Sequence, residues 1–510
     1  MSDSENRPSS SDAAVIDVGS NSVRLVLYRL DGRAIWSVFN EKVLAGLGRD
    51  LPRTGALSPA GVTSALLALR RFAALITESR PARVFAAATA AVREASDGAS
   101  FCRQVTEQTG LDLRVLTGAE EATYSAMGVV AGAPQSEGLV GDLGGASLEL
   151  VRLEGGAPGR AITLPLGPFS ISRSGRFDPE RSRAVALKAL QPHEKAFRAS
   201  SLTAVGGAWR NLALLHMRIS GYPLEIVHQY CIARAELLAT ARFLSRQSRG
   251  SLERIDGISR RRLENLPHAA ILLEALVERL DLQRVNFSAF GLREGLLFES
   301  LRTELRRDDP LIAGCAALGG RMVTAEALGQ AVEAWIAPQL ARLEPMFRGR
   351  DDVLVAAACR LAELGAHLHP DHRADLVFEQ VLRAPIGGAS HAERAFLACA
   401  AFARHTSSRS PPEPEVVGRL LEPERYQRAR AVGAAVRLAC ELSGRSPELL
   451  AHARLDIKNS VVVVEADDGW APILLGDQTA KRAATLAQVL GREVRLRTRR
   501  KGEPAFTLTG

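Results

Sequence analysis

Asp17-Val-Gly-Ser-Asn-Ser-Val-Arg-Leu25 and Asp142-Leu-Gly-Gly-Ala-Ser-Leu-Glu-Leu150 are two copies of one pattern, Asp-x-Gly-x-x-Ser-x-x-Leu, placed 125 residues apart. Each copy follows an apolar run, at Ala13–Ile16 and Leu139–Gly141, and leads into another. The pattern predicts a strand, a tight polar turn and a second strand. Two such hairpins predict a duplicated domain with a phosphate clamp between its halves, and therefore an enzyme that acts on phosphates.

The turns carry residues that suit an anion. The glycine two residues after each aspartate permits close backbone approach and is expected at positive φ. Successive backbone N–H groups form an anion-binding concavity, to which Ser22 and Ser147 add hydroxyl donors. Asp17 and Asp142 would repel a phosphate in direct contact, so they indicate an intervening Mg²⁺ or an oriented water. The alternative is that the glycines simply join strands; two copies in register favour the phosphate site.

The two copies differ at one cleft-facing position. Strand alternation places Ser22 and Arg24 on the same face, opposite the apolar side chains, so Arg24 is expected in the cleft. In the second copy Glu149 takes the place of Arg24 and shares its face with Ser147. One hairpin therefore offers a cation and the other a carboxylate. This asymmetry suits a phosphate on one side and a metal or an attacking water on the other.

The composition is that of an ordinary globular protein, with 46% hydrophobic and 24% charged residues among 510. This length predicts two to four domains. The six cysteines form no Cys-x-x-Cys pair, which argues against a zinc ribbon or a disulfide framework and favours reduced thiols in a cytoplasmic protein. No run of about 18 apolar residues occurs, so we expect no membrane span.

The net charge of +8 is carried mostly by arginine, whose planar fork binds phosphate oxygens bidentately. The charge is compatible with polyphosphate, a nucleotide or nucleic acid, although abundant alanine alongside arginine equally fits a compositional bias. Aromatic residues make up only 5% and do not alternate with basic ones. We therefore expect no nucleic-acid surface.

Hydrophobic periodicity predicts the order of the elements. Three antiparallel strands precede alternating helices and strands as far as Val130, and this order starts again at Leu139. Helical spacing dominates residues 310–455, and strands are expected at 460–464, 471–475 and 494–496 around a helix at 478–490. The predicted divisions are a disordered tail (1–12), domain I (13–132), domain II (133–305), a helical domain (306–412) and a C-terminal helical and α/β region (413–510).

Six segments together resemble the exopolyphosphatase / guanosine pentaphosphate phosphohydrolase (Ppx/GppA) family over residues 13–300. The segments are Asp17–Leu25, Ala88–Arg93, Gly118–Ala122, Gly141–Glu149, Val205–Gly207 and Gly291–Gly295. The resemblance implies an α/β fold class: two duplicated actin-like (ribonuclease H-like) ATPase-fold domains. An all-helical, degenerate HD-like domain and a small C-terminal α/β piece would follow.

The resemblance also implies roles for individual residues in the Mg²⁺-dependent hydrolysis of a terminal phosphoryl group. Glu121 matches the catalytic glutamate, which would activate or orient the attacking water. Asp142, Glu149 and Asp17 would hold Mg²⁺ or help to place that water. The residues expected to bind the terminal phosphates are Ser20, Asn21, Ser22, Arg24, Arg93, Gly144, Gly145 and Ser147.

The helical domain departs from the pattern of HD phosphohydrolases. Their metal-binding His-Asp pair would fall near residues 361–365, where the sequence is Leu-Ala-Glu-Leu-Gly. We therefore expect a degenerate scaffold that shapes a channel or a dimer interface rather than a second metal site. A homodimer is implied by the resemblance alone.

These observations favour an exopolyphosphatase that releases orthophosphate from inorganic polyphosphate. Guanosine pentaphosphate hydrolysis at the same site is the nearest alternative. An ATP-binding protein of the actin/sugar-kinase fold would need an adenosine pocket, for which the Gly206-Gly207 turn is available. An inactive polyphosphate-binding protein is the third alternative, and the presence of Glu121, Asp142 and Glu149 argues against it.

Overall fold

The computed structural model describes residues 11–171, 178–247, 250, 265–320 and 323–499. The chain divides into two compact units, Met1–Arg307 (unit 1) and Asp308–Gly510 (unit 2). The finer division into domains stays a prediction. The expected tail lies outside the described residues up to position 10, but Ser11 and Asp12 already belong to the first strand, where Asp12 pairs with Arg29 at 3.2 Å.

The described part of unit 1 begins with a five-stranded sheet of order β3-β2-β1-β4-β5. Its strands are β1 (Ser11–Val18), β2 (Val23–Asp31), β3 (Ala34–Val43), β4 (Arg83–Ala88) and β5 (Arg114–Val115). The accompanying helices are α1 (Leu51–Thr54), α2 (Pro59–Ser79), α3 (Ala90–Glu94), α4 (Gly98–Thr109) and α5 (Gly118–Gly132). β1 to β3 form the predicted antiparallel meander, whereas β4 pairs parallel with β1.

A six-stranded sheet follows among the described residues, in the order β10-β11-β9-β6-β7-β8. Its strands are β6 (Leu139–Leu143), β7 (Leu148–Glu154), β8 (Ala157–Leu164), β9 (Ser201–Val205), β10 (Tyr230–Ala233) and β11 (Arg284–Phe287). The β6–β8 meander is antiparallel, and β9 and β11 continue the sheet in parallel. Read from β8 to β11, the order matches that of the first sheet.

The helices from here to Arg307 are α6 (Pro168–Ile171), α7 (Pro179–Leu190), a 3₁₀ turn (Gln191–His193), α8 (Glu194–Phe197), α9 (Gly207–Ile219), α10 (Arg234–Arg246), α11 (Leu266–Arg279), α12 (Leu292–Ser300) and α13 (Thr303–Arg307). Leu297 of α12 and Leu305 of α13 join the core of the first sheet, whereas the earlier helices cover the second. The core that they share with the sheet includes fully buried Trp209 and Phe287. Strands β10 and β11 were not predicted: the alternation of buried Tyr230 and Ile232 extends over only four residues.

Unit 2 is mainly helical, as the spacing at 310–455 predicts. Its described helices are α14 (Pro310–Gly319), α15 (Val323–Leu340), α16 (Asp351–Arg360), α17 (Arg373–Arg383), α18 (His391–His405), α19 (Pro414–Leu420), α20 (Pro423–Leu442), α21 (Pro447–Leu450), α22 (Ala471–Leu474) and α23 (Asp477–Leu490). A sheet of order β12-β13-β14 completes it, with β12 (Ala453–Ile457), β13 (Val461–Asp467) and β14 (Glu493–Arg499).

One predicted strand of unit 2 is wrong, since residues 471–475 contain the short helix α22. Pro472 explains the difference: proline lacks the N–H that a strand would donate but is favourable in the first turn of a helix. All six cysteines are free thiols, as predicted, although Cys231 is exposed rather than in a core.

Helix α2 is long and apolar enough to cross a membrane by length and composition alone, whereas the sequence scan expected no such segment. In the structure Leu69 and Phe72 of this helix are fully buried in the core of the first sheet. Its opposite side exposes Arg70 and Arg71. A helix with one buried apolar face and one exposed charged face is typical of a helix that packs on the core of a globular protein. The absence of a membrane span stays a prediction.

Two glycines allow helices α5 and α12 to cross at close range. A Cβ atom on Gly128 would lie 1.9 Å from the carbonyl oxygen of Gly291, and one on Gly295 would lie 1.8 Å from that of Tyr124. Backbone therefore packs directly on backbone at this crossing. Glu121, in the first turn of α5, and Arg293, in the first turn of α12, are held relative to each other by this contact.

Replacing Gly295 by alanine is expected to lower the free energy of unfolding by about 1–3 kcal/mol, because neither backbone can yield without strain. Urea unfolding measures the change. Gly207→Ala is the matched control, since its added Cβ meets nothing within 4 Å and is expected to cause no loss. A Gly295→Ala protein as stable as the parent would contradict the close crossing.

Candidate functional site

The two polar turns have the same hydrogen bond and lie against each other. The Gly19 amide donates to the Ser22 carbonyl oxygen at 2.9 Å, and the Gly144 amide donates to that of Ser147 at 2.9 Å. A Cβ on Gly145 would lie 3.1 Å from the Cβ of Ser20, so the second turn touches the first. The structure thus brings the two predicted phosphate turns together.

The expected reason for the turn glycines was half wrong. Neither Gly19 nor Gly144 has a positive φ. An added Cβ on either glycine would lie 3.4 Å from the serine carbonyl oxygen of its own turn, which is an ordinary van der Waals distance. The positive φ is therefore wrong, and the need for close backbone approach at Gly19 and Gly144 stays a prediction.

The strand registers place the asymmetric pair where alternation predicts. Across β1 and β2, Asp17 is opposite Arg24, and across β6 and β7, Asp142 is opposite Glu149. Directly opposed residues of this kind have side chains on one face of the sheet. The first hairpin therefore presents a carboxylate beside a guanidinium, and the second presents two carboxylates side by side.

Glu121 joins the two carboxylates of the second hairpin. Its helix α5 begins with a capping box, in which the Thr117 side chain and Glu120 satisfy each other's backbone amides, so Glu120 is occupied at the surface while Glu121 turns inward. Glu121 is 8% exposed. Burial, opposed by Arg93 and reinforced by the negative charges of Asp142 and Asp17, raises the pKa of Glu121 to about 7.

Glu149 is the most enclosed carboxylate, at 1% exposure, and its Oε1 atom has no hydrogen-bond partner among the described residues. Burial, and then the charges of Glu121 and Asp142, raise the pKa of Glu149 well above its usual range. Burial likewise raises the pKa of Asp142, although Ser125 donates a hydrogen bond to Asp142 Oδ2 and opposes the shift. Ser125 was not identified from the sequence.

Arg93 contacts the glutamate as well as facing the cleft. It lies on helix α3, and its Nη1 donates to the Leu116 carbonyl oxygen at 2.7 Å and to Glu121 Oε2 at 3.2 Å. The side chain of Arg93 is 22% exposed, so a surface of the guanidinium stays open. That Arg93 binds phosphate stays a prediction; its observed side-chain partners are Glu121 and, at 3.5 Å, Glu94.

The cationic side of the cleft is larger than the sequence indicated. Arg24 Nε donates to Asn40 Oδ1 at 2.8 Å, and Arg293 Nη1 pairs with Asp17 Oδ2 at 2.9 Å. Burial, followed by the charges of Arg293 and Arg210, lowers the pKa of Arg24 to about 10. Three guanidinium groups, those of Arg24 on β2, Arg210 on α9 and Arg293 on α12, thus lie near one another.

Arg210 and Arg293 are functional candidates that sequence reasoning did not name, although both lie in or beside segments that carried the family resemblance. Arg210 follows the Gly206-Gly207 turn and Arg293 lies within Gly291–Gly295. Burial, and then Arg293, lower the pKa of Arg210. Burial lowers the pKa of Arg293, but Glu294, Tyr28 and Asp17 together raise it above its usual value. A search for arginines in every glycine-turn segment would have found them.

The described residues contain no group of three or more His, Cys, Asp or Glu arranged to hold a metal ion. Asp17, one of the three predicted metal positions, pairs with Arg293, and its role toward Mg²⁺ stays a prediction. In the described part of unit 2 the histidines do not gather into a site: His405 Nε2 hydrogen-bonds to the Leu364 carbonyl oxygen, and His369 lies exposed beside Asp371.

Comparison with known proteins agrees with this arrangement. A sequence model described as the Ppx/GppA phosphatase family matches residues 26–304. The chain belongs to the Ppx/GppA phosphatase family. It is thereby an enzyme of the phosphatase class, as the paired motifs predicted. A second match, described as the C-terminal region of exopolyphosphatase, covers residues 349–497 of unit 2.

Curated members of the Ppx/GppA family align with the first part of the chain. Exopolyphosphatase 1 of Mycobacterium tuberculosis is 27% identical over 306 residues, which is 57% of this chain and 88% of the relative. Exopolyphosphatase 1 of Mycobacterium leprae is 27% identical over 309 residues, with 57% and 89% covered.

Solved members of the family share the actin-like α/β fold of this region. A Ppx/GppA protein of Aquifex aeolicus superposes with a TM-score of 0.50 at 25% identity, covering 57% of this chain and 97% of the other. An exopolyphosphatase of Cytophaga hutchinsonii superposes with a TM-score of 0.53 at 24% identity, covering 57% and 97%. The superposition on the Cytophaga hutchinsonii protein shows a shared fold only.

Ser125→Ala is expected to lower the free energy of unfolding at neutral pH by about 1–3 kcal/mol, because the desolvated Asp142 carboxylate loses a donor. Chemical unfolding of a double-mutant cycle with Asp142→Asn tests the cause. In the Asp142→Asn background the same serine change should cost less, since no desolvated charge needs the hydroxyl. Equal losses in both backgrounds would show that the Ser125–Asp142 bond does not stabilise a carboxylate.

Proposed function

We propose that this Ppx/GppA family member is a Mg²⁺-dependent exopolyphosphatase that hydrolyses the terminal phosphoanhydride of inorganic polyphosphate and releases orthophosphate. One observation carries the proposal. Three desolvated carboxyl groups, those of Glu121, Asp142 and Glu149, lie beside a group of guanidinium groups at the meeting point of two polar turns. Such a site can hold a phosphate chain on its cationic side and activate water on its acidic side.

The acidic side fits Mg²⁺. Its donors are carboxylate oxygens, which this hard cation prefers. Glu149 Oε1 has no hydrogen-bond partner among the described residues, and Asp142 repels Glu149; a cation held between these carboxylates would offset both costs. Two carboxylates suffice, because Mg²⁺ commonly completes its shell with waters and substrate phosphates. When bound there, Mg²⁺ would neutralise charge on the phosphate oxygens.

Glu121 is suited to place and deprotonate the attacking water. Its raised pKa of about 7 brings the carboxylate closer to the range in which a general base works best near neutral pH. Arg93, hydrogen-bonded to Glu121 Oε2, fixes the direction of that carboxylate. The amides and hydroxyls of Ser20, Asn21, Ser22, Gly145 and Ser147 would hold the terminal phosphate between the turns. Gly144, whose amide donates to the Ser147 carbonyl oxygen, would shape the second turn. Phosphoryl transfer depends mainly on such positioning and charge stabilisation.

Release of orthophosphate from long-chain polyphosphate by the purified chain with Mg²⁺ tests the proposal. Glu121→Gln is expected to reduce turnover about 100-fold or more, the usual worth of a general base. The matched control is Glu120→Gln, which changes the adjacent acid: it caps the helix at the surface, and glutamine can keep that cap. The control should retain turnover within about twofold, and an active Glu121→Gln enzyme would refute the assignment of the base.

Guanosine pentaphosphate hydrolysis at the same site remains the alternative, because the family description names both types of enzyme. The exopolyphosphatase match over residues 349–497 favours polyphosphate. Side-by-side values of kcat/KM for the two substrates would decide between them. ATP binding without hydrolysis of either substrate would support the kinase-like alternative, and polyphosphate binding without turnover would support an inactive binding protein.

Arg210 is proposed to bind a phosphate next to the terminal one, together with Arg24 and Arg293. Arg210→Gln is expected to raise the KM for polyphosphate by roughly 10- to 100-fold, since a hydrogen bond between charged groups contributes about 1.5–3 kcal/mol. Arg218→Gln, on the same helix but paired with Glu225, controls for loss of one positive charge and should change KM little. An unchanged KM in Arg210→Gln would remove Arg210 from the substrate site.

The finer architecture is also a proposal. The matching strand orders of the two sheets support a duplicated actin-like domain, and the helical content of unit 2 supports a degenerate HD-like domain followed by a small α/β piece. We further propose a homodimer and a cytoplasmic location. Sedimentation of the purified chain tests the first, and cell fractionation tests the second.

A further inference from the structure

Unit 2 contains a group of arginines that no part of the proposed reaction uses. We call it the arginine cluster. Its members are Arg404, Arg437, Arg482, Arg445, Glu363 and Glu441. They come from helices α18, α20 and α23 and from the segments that follow α16 and α20. Helix α20 packs against both α18 and α23, which brings these side chains together.

Arg404 is the central member and lacks a carboxylate in contact among the described residues. It is 5% exposed, hydrogen-bonds to the thiol of Cys440, and has an Nε with no hydrogen-bond partner in the part of the chain that the structure describes. A guanidinium carries five N–H donors. Burying such a charge is costly unless it is paired, so the environment of Arg404 calls for an anion.

The carboxylates nearby are already engaged. Glu441 accepts from Arg437 Nε at 2.9 Å and also from Arg482. Glu363 lies 3.6 Å from Arg445. The cluster therefore has four guanidinium groups and two carboxylates, an excess of two positive charges, with Arg445 41% exposed and the other three arginines buried or nearly so.

A second buried donor without a partner belongs to the same cluster. Arg437 Nη1 has none among the described residues, and the Arg437 side chain is only 13% exposed. Burial, and among the charges those of Arg482 and Arg404, lower the pKa of Arg437, although Glu441 opposes the shift. The guanidinium groups are thus close enough to repel one another.

From these contacts we propose that the arginine cluster is a binding site for a phosphate group, formed by residues other than those of the proposed catalytic cleft. A phosphate dianion matches the excess of two positive charges. Its tetrahedral oxygens can accept from Arg404, Arg437 and Arg482 at once, in the bidentate manner typical of arginine. A protonated phosphate oxygen can in turn donate to Glu363 Oε1, which is buried without a partner among the described residues.

The phosphate group could come from free orthophosphate or from a phosphate chain. Hydrogen–deuterium exchange of the full chain distinguishes these sources. The protein used is the Glu121→Gln variant of the full chain, so that tripolyphosphate is not hydrolysed during the measurement. Orthophosphate and tripolyphosphate are added separately. Slower exchange in α18 and α20 with both probes would indicate a site for the phosphate group itself, and slower exchange with tripolyphosphate alone would indicate a site for a chain.

Arg404→Gln and Arg437→Gln are each expected to raise the apparent Kd of the phosphate probe, measured from the slowing of exchange, by roughly 10-fold or more. Arg482→Gln, at a less buried position, gives a further test if the Arg404 variant fails to fold. The matched control is Arg430→Gln, also on α20 but at the surface and bonded to Gln427. The proposal would be overturned if neither probe slowed exchange in α18 and α20. It would also be overturned if Arg430→Gln raised the apparent Kd as much as Arg404→Gln and Arg437→Gln do.

Discussion

The desolvation of three acidic side chains in one place is the constraint on which this structure depends. Burial raises the pKa values of Glu121, Asp142 and Glu149, and the charge of Asp142 raises those of the two glutamates further. Carboxylates do not gather in this way without compensation, because each desolvated charge is costly and each neighbour adds repulsion. The surrounding fold supplies part of the compensation: Arg93 contacts Glu121, Ser125 donates to Asp142, and the Ser147 side chain hydrogen-bonds to Glu149. The oxygen of Glu149 that has no partner among the described residues shows that it does not supply all of it.

The same constraint explains how the two sheets of unit 1 differ. Their strand orders match, and their first turns have the same hydrogen bond. At the equivalent cross-strand position, however, one has Arg24 beside Asp17 and the other has Glu149 beside Asp142. The acidic and cationic sides of the cleft thus come from one motif used twice. Helices α5 and α12 then fix Glu121 and Arg293 relative to each other through a glycine crossing that no side chain separates.

Arginine serves two purposes in this chain. Around the cleft, Arg24, Arg210 and Arg293 balance the acids and leave donors for a polyanion. In unit 2, several arginines instead hold carbonyl oxygens, as Arg394 does with Ala384 and Ile386. The arginine cluster belongs to neither class, because its charges exceed the carboxylates that accompany them. A high arginine content therefore has specific structural causes in addition to any compositional bias.

The sequence by itself determined the two hairpins, most helices of both units and the residues of the two turns, because these depend on local periodicity and on glycine and proline chemistry. It also determined the family, through motifs each of which is only a few residues long. It misplaced the strand at 471–475 and did not predict β10 or β11, which depend on partners distant in the chain. Only the tertiary structure decided that Ser125 bonds Asp142, that Arg293 pairs with Asp17, and that Arg210 lies beside Arg24. Those contacts join elements far apart in sequence, and their strength comes from burial, which no local pattern encodes.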